Sequence, residues 1–354
     1  MPPRIDDLTG CRAVFALWVF LYHLNLQLFT ADPFGPLTAI MQRGYLGVDA
    51  FFILSGLVLA HAHRSQEPSW KTLHSFWLRR LLRIYPIHFA VILLLLLLLA
   101  GGSAIGLVPR DPTRFGVEAL LQNLLLIHGW GSATTGAWNY PSWSISTEWA
   151  GYLAFPIIWA ALRRLGTRLA AWGLLILLAI LAAVEWAGAG MHLNLPYQAG
   201  FGRFIPEFLA GMVLARCATA LTAWPHAPWL VWLGLASAAL AALTSYDTAL
   251  VAALFLILAG LLARAGQGRA PLLAAIPGCT FAGTLSYSFY MSFAVIEMLH
   301  AVIWRALALT PTEHPFTFAL TSFTATLALA LLLWRWVERP CRALIHLAAR
   351  PASL

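Results

Sequence analysis

Apolar residues run through this chain in blocks long enough to cross a lipid bilayer, and polar residues gather in short stretches between them. A spanning helix needs roughly 17–25 mostly apolar residues. Such blocks fall at about residues 13–31, 44–63, 81–100, 143–162, 169–187, 203–217, 229–245, 248–263, 283–304 and 316–334. The block at 203–217 is short and carries Arg203 and Glu207; a further candidate, Phe115 to Trp130, is short and carries Glu118, Gln122, Asn123 and His128. The pattern predicts an all-α, polytopic integral membrane protein of about ten transmembrane helices.

Composition narrows this. Of 354 residues, 60% are hydrophobic and only 10% charged, with a mean hydropathy of +0.77. Soluble domains carry about a quarter charged residues, so a soluble fold is excluded. The net charge of +8 comes from 22 basic and 14 acidic side chains. No basic run is long enough to track a phosphate backbone, so nucleic acid is not an expected partner; a basic excess follows instead from membrane topology. With the N-terminus inside and ten spans, only Arg43, Arg110, Arg114, Arg203 and Arg305 fall outside, while Arg4, Lys71, Arg350 and the other basic residues stay in the cytoplasm. Counting 115–130 as a crossing would send the cluster Arg163, Arg164 and Arg168 outside. Residues 101–142 therefore read as an outer segment with a re-entrant or surface helix, and both termini as cytoplasmic. The expected location is the cell inner membrane, multi-pass, with the lipid bilayer as partner and a homo-oligomer left open. Residues 1–342 form the transmembrane domain and 343–354 a short cytoplasmic tail. Cys11, Cys217, Cys279 and Cys341 show no metal-ligand spacing and sit at expected cytoplasmic helix ends, so neither a metal nor a disulfide is expected. Arg12 and His23 interrupt the first block and no A-x-A site follows, which argues against a cleaved signal peptide.

Ionisable residues inside spans point to function, because burying them in lipid is costly. Arg12 and His23 are eleven residues apart; at about 100° per residue both lie on one helix face, about 16 Å apart. They cannot touch, but one extended ligand can reach both. Histidine moves protons near neutral pH, although a core histidine bonded to a neighbouring helix is an equal alternative. Asp49 can bond a neighbouring helix or line a cavity, and Ser55-Gly56 offers a point for close helix approach. Arg79, Arg80 and Arg83 cluster on the third block, as phosphate ligands or as plain topological anchors. At the fourth block Ser144 can cap the helix and Glu148 can serve the first turn or orient an imidazole. Trp138, Tyr140 and Trp143 suit sugar stacking or an interfacial belt. Glu207 is placed to pair with Arg203 one turn away.

Taken in order, Arg12-x10-His23, Gly47–Gly56, Arg79–Pro86, Trp143-Ser-Ile-Ser-Thr-Glu148 with Tyr152, Ser286–Tyr290 and Glu338-Arg-Pro340 resemble the membrane-bound acyltransferase-3 family, which includes bacterial O-antigen, exopolysaccharide and antibiotic O-acyltransferases. The resemblance implies a ten-helix O-acyltransferase. It would move an acyl group, usually acetyl, from cytoplasmic acyl-CoA to a hydroxyl of a sugar, glycan or small-molecule acceptor. Acetyl-CoA is then a donor substrate, with no permanently bound cofactor. The family's essential histidine maps to His23 and its paired arginine to Arg12; its third-helix arginines map to Arg79, Arg80 and Arg83, and its glutamate to Glu148. The catalytic candidates are His23 as general base and Glu148 as its orienting group. Ser55, Trp143, Ser144 and Tyr290 stand as candidates for holding substrate. Two positions depart from the family pattern: Met291, Ser292 and Phe293 replace a frequent histidine, and Trp149 follows Glu148 where an acidic residue or Gln is common.

Two other classes compete. A proton-coupled transporter also uses His and Glu within the membrane, but no matching pair of Gly/Pro-broken helices marks two halves. A membrane scaffold leaves the Arg12–His23 spacing unexplained.

Overall fold

A computed structural model describes residues 5–28, 34–64, 70–107, 111–132, 136–188, 190–197 and 199–348. Arg4, Arg110, Arg350, the side chain of Lys71 and the tail from 349 onward lie outside the described residues. The described residues form helices α1 (Asp6–Leu28), α2 (Leu37–Gln42), α3 (Leu46–Ala62), α4 (Trp70–Ala104), α5 (Val117–Leu124), α6 (Trp143–Leu162), α7 (Thr167–Ala187) and α8 (Gly200–Arg216). These are followed by α9 (Ala218–Ala223), α10 (Leu230–Ala241), α11 (Asp247–Gly266), α12 (Cys279–Met291), α13 (Phe293–Ala306), α14 (Pro315–Leu333) and α15 (Arg339–Ala348). No strand occurs among them.

Five helical segments are long and apolar enough to cross a membrane, and seven if two bent pairs each count as one span. The pairs are α2 with α3, bent by 48°, and α12 with α13, bent by 60° at Ser292. The other helices predicted to span differ for visible reasons: α6 opens on Ser144, Ser146, Thr147 and Glu148, while α8 has 17 residues and α10 only 12. Large apolar side chains such as Leu97, Ile157, Trp172, Trp186 and Leu243 face outward, as lipid-facing helix surfaces do. The fourth block gives α6 at the predicted 143–162. The third differs: α4 runs 35 residues, about 52 Å, because its arginine-bearing first turns continue the same helix. Residues 115–130 hold only the eight-residue α5 and an irregular turn, about 12 Å of helix that is too short to cross. This segment is fastened to α6: the Gly129 amide donates to Ser146 Oγ at 3.0 Å and Ser146 Oγ donates to the Leu126 carbonyl at 2.7 Å. Burial pushes the His128 imidazole down to about 3, so it packs as a neutral ring against Ser142, 2.9 Å away.

Two close helix crossings set the frame around the site. α3 packs along α8 where Gly56 meets the Phe208 carbonyl and Gly211 the Ile53 carbonyl; a Cβ on either glycine would lie 2.0 Å from that oxygen. Small residues at such crossings bring backbones together. Asp49 of α3 bonds the neighbouring helix: its carboxylate lies 3.2 Å from the Arg203 guanidinium of α8. The arginine's ion-pair partner is thus Asp49, from another helix, with Glu207 buried beside the pair. Local spacing suggested Glu207, but the α3–α8 crossing brings the other carboxylate closer. α1 packs likewise along α12, which places Arg12 and Ser286 side by side.

Candidate functional site

A cavity of about 110 Å³ opens among α1, α3, α4, α6 and α12. Arg12, Ser55, Arg80, Arg83, Ser144, Glu148, Tyr152, Ser286 and Tyr290 line it with apolar residues of the same helices. Residues far apart in sequence meet here because each motif sits on the inward face of its helix. Glu148 Oε1 accepts from Ser55 Oγ and from Tyr152 OH, both at 2.5 Å. Arg12 Nε donates to Ser286 Oγ at 3.2 Å, and its guanidinium lies 5.7 Å from the Phe51 ring centre. Arg80 lies over the rings of Phe76 and Tyr152, and its buried Nε has no hydrogen-bond partner among the described residues. Arg83 is paired with Glu338, which also accepts from Arg342 and, at 2.5 Å, from Ser288 Oγ. Three guanidiniums therefore face a cavity with one lining carboxylate, an arrangement suited to an anionic ligand.

His23 stands outside this cavity. Its Nδ1 lies 3.0 Å from Tyr140 OH and 3.5 Å from Glu297 Oε1. Tyr140 OH also donates to Glu297 Oε2, and Gln27 Nε2 donates to Oε1 at 3.3 Å. Burial, followed by the charge of Glu297, holds the Tyr140 phenol well above its ordinary value, so it keeps its proton. A phenol has one hydrogen. Since that hydrogen goes to Glu297, the contact with His23 is made by an Nδ1–H donating to the phenol oxygen. That tautomer leaves the Nε2 lone pair free. Between His23 and the arginine-lined cavity lie Phe293, 5.4 Å from the imidazole, and Tyr290, 5.5 Å from Phe293. Tyr290 OH donates to the Pro141 carbonyl at 2.6 Å and meets Ser144 Oγ at 3.0 Å.

The sequence candidates therefore divide. Arg12, Arg80, Arg83, Ser55, Ser144, Glu148 and Tyr290 share one cavity. Arg79 and Trp143 are not among its lining residues; Trp143 instead packs its ring 4.9 Å from the Arg203 guanidinium. Glu148, expected beside His23, makes no hydrogen bond to it among the described residues, because Ser55 and Tyr152 hold it on the α3 side. Ser144, expected as a helix cap, lies inside α6 and turns its hydroxyl to Pro141 and Tyr290. Glu297 was missed: an acidic side chain within the apolar block 283–304 is itself a signal. Glu338 and Ser286 lie in motifs visible in the sequence, but their partners, Arg83 and Arg12, come from the packing of distant helices. Elsewhere, Glu185, His192 and Asp247 offer ligand atoms within 4.8 Å of one another. Both carboxylates are already engaged, Glu185 by the amides of Asp247 and Thr248 and Asp247 by the Leu193 amide and Tyr45 OH. That set caps the start of α11.

Comparison with known proteins gives a family match described as an acyltransferase domain over residues 5–335. The acyltransferase MdmB of Streptomyces mycarofaciens is 33% identical over 238 residues, covering 61% of this chain and 58% of that protein. The O-acetyltransferase OatA of Staphylococcus aureus (strain NCTC 8325 / PS 47) is 33% identical over 90 residues, 24% of this chain and 12% of OatA. The chain thus spans under two thirds of the length of these relatives. No solved structure matches.

Proposed function

We propose that this chain, which belongs to the acyltransferase-domain family, is an integral-membrane O-acyltransferase that moves an acetyl or related acyl group from acyl-CoA to an acceptor hydroxyl. The observation that carries the reading is the cavity gathering Arg12, Arg80 and Arg83 from two helices, with His23 three turns further along α1. In this reading the protein lies in the inner membrane with ten spans and both ends cytoplasmic, as the distribution of basic residues supports.

The phosphates of acyl-CoA bind the arginine side of the cavity, where the unpartnered Arg80 Nε offers a donor. The pantetheine arm follows α1 past Tyr290 and Phe293, whose side chains must move to admit the thioester. His23 Nε2 takes the proton from the acceptor hydroxyl as its oxygen attacks the thioester carbonyl. The carbon–sulfur bond breaks, and the CoA thiolate takes the proton back from the imidazolium. The products are the acyl ester and free CoA. Glu297 and Tyr140 hold His23 in the tautomer this step needs and stabilise its charged form. Glu148 keeps Ser55 and Tyr152 in the wall of the donor cavity. Sugars and glycans remain acceptors of this scheme, as do secreted small molecules.

The test is thiol release from acetyl-CoA by purified protein in nanodiscs. Release should require an acceptor, and Arg80→Ala should raise the KM for acetyl-CoA about tenfold. No thiol release with any hydroxyl acceptor would contradict the proposal.

A further inference from the structure

The segment that carries Tyr140 is fastened to residues 114–116 by three hydrogen bonds. Arg114 Nε donates to the Gly136 carbonyl at 2.6 Å, the Trp138 amide to the Arg114 carbonyl at 3.1 Å, and Trp138 Nε1 to the Gly116 carbonyl at 3.0 Å. Trp138 has a left-handed backbone, φ +48°, a conformation that a bulky residue keeps only where its surroundings fix it. Two residues on, the Tyr140 amide donates to the Trp138 carbonyl at 2.9 Å, and the Tyr140 carbonyl accepts from Tyr197 OH at 3.3 Å. The Arg114 guanidinium lies over the Tyr140 ring, 5.6 Å from its centre, within the range of a cation on an aromatic face. Arg114, Tyr140 and Glu297 line one cavity of about 770 Å³ between the C-terminal part of α4 and α13, whose walls are otherwise mostly aliphatic. In such apolar surroundings a cation on a ring face is worth more than in water.

We infer that Arg114 is a positioning residue for His23: its guanidinium fixes the ring of Tyr140, and the phenol oxygen thereby stays where it accepts the His23 Nδ1–H. The inference rests on the acyl-transfer reading for the task of His23, but the geometry it claims exists without any substrate. The Tyr140 hydroxyl stands between His23 Nδ1, at 3.0 Å, and the Glu297 carboxylate. Rotation about the Cα–Cβ bond would carry it away from both. The backbone bonds of Tyr140 do not resist that rotation, and the residue is only half-buried, so packing alone leaves the ring room to turn. Arg114 resists it by covering one face. A planar guanidinium can donate from its edge and stack by its face, which suits it to hold the Gly136 carbonyl and the Tyr140 ring together. Lysine carries the charge without the fork, and glutamine a donor for Gly136 without the charge.

Because Arg114 acts through Tyr140, the test is a double-mutant cycle on the full-length protein in nanodiscs. Arg114→Gln should lower kcat about tenfold at an unchanged KM for acetyl-CoA, and Arg114→Lys should restore it to within about threefold of wild type. In a Tyr140→Phe background, which keeps the ring and removes the hydroxyl, Arg114→Gln should cost nothing further. A purely structural Arg114 would give losses that add, with Lys no better than Gln; either result overturns the inference. If Arg114→Gln does not insert, Arg114→Lys in the same cycle decides, since its smaller loss should also vanish in Tyr140→Phe. A second readout needs no turnover. In protein carrying isotope-labelled histidine, the His23 Nδ1 resonance, identified by its loss in His23→Gln, should move in Arg114→Gln and return in Arg114→Lys. A resonance unmoved in Arg114→Gln contradicts the inference whether or not acyl transfer occurs. A moved resonance with no transfer even by the wild type supports the inference and refutes the acyl-transfer reading alone.

Discussion

At the scale of single residues, the carboxylate that meets His23 is Glu297 and not Glu148. The spacing of Arg12 and His23 was legible because a helix fixes the relation of residues eleven apart. The partner was not, because Glu297 reaches His23 only through the packing of α13 against the rest of the bundle, and no local rule relates the two positions. Glu148 lies in a recognisable motif and Glu297 does not, so the sequence alone points to the former. The two give different expectations. On the proposed mechanism Glu297→Gln should lower kcat about a hundredfold and leave the KM for acetyl-CoA nearly unchanged, since Glu297 contacts the proposed base and does not line the arginine cavity. Glu148→Gln should disturb Ser55 and Tyr152 in the arginine-lined cavity and, on the same mechanism, appear chiefly in that KM. Steady-state kinetics with varied acetyl-CoA separate the two; a rise in KM alone for Glu297→Gln would place that residue on the donor side. Arg80 and Arg83 also part company, because Arg83 is paired with Glu338 while Arg80 Nε has no hydrogen-bond partner among the described residues.

At the scale of elements, the apolar pattern located most helices closely and failed at their interruptions. α6 follows its apolar block because Pro141 and Ser142 precede it and Gly166 follows the turn that ends it. The break at Ser292 was invisible, since both halves are apolar and only the α12–α13 bend of 60° shows that the block is two helices. The α3–α8 crossing is the frame for Ser55, and it depends on two glycines. Gly56→Leu would drive a side chain into the Phe208 carbonyl and should cost about 3 kcal/mol. Gly166→Ala, with nothing within 4 Å of the added Cβ, should leave stability unchanged. Thermal unfolding in one detergent measures both. A similar dependence joins α15 to the site, because Glu338 is buried and accepts from Arg83 of α4 and Arg342 of α15. Glu338→Ala leaves two guanidiniums without their carboxylate, which typically costs about 3–5 kcal/mol for a buried pair. It should loosen α15, read as faster proteolytic cleavage near Arg339, while unchanged cleavage would show that α15 docks by its apolar face alone.

At the scale of the whole molecule, low charge is the most informative property of the sequence. With 10% charged residues, nearly every ionisable group in a helix invites a reason, and the reasons fall into topology, helix cohesion and chemistry. Asp49 with Arg203 belongs to cohesion, Glu185 with Asp247 to capping, and Arg12, Arg80, Glu148, His23 and Glu297 to the two adjoining sites. What the sequence could not disclose is that these sites are separate, with Tyr290 and Phe293 between them, or that the His23 side adjoins a large apolar cavity. Both follow from how distant helices meet. The arrangement carries one central claim, that His23 is the base that activates the acceptor. The most direct test is the initial rate of radiolabelled acetyl transfer from acetyl-CoA by purified His23→Ala in nanodiscs, with insertion verified by a thermal unfolding profile matching the wild type. The rate should fall by at least about a hundredfold with acetyl-CoA binding retained; transfer at the wild-type rate would mean that His23 is not the base.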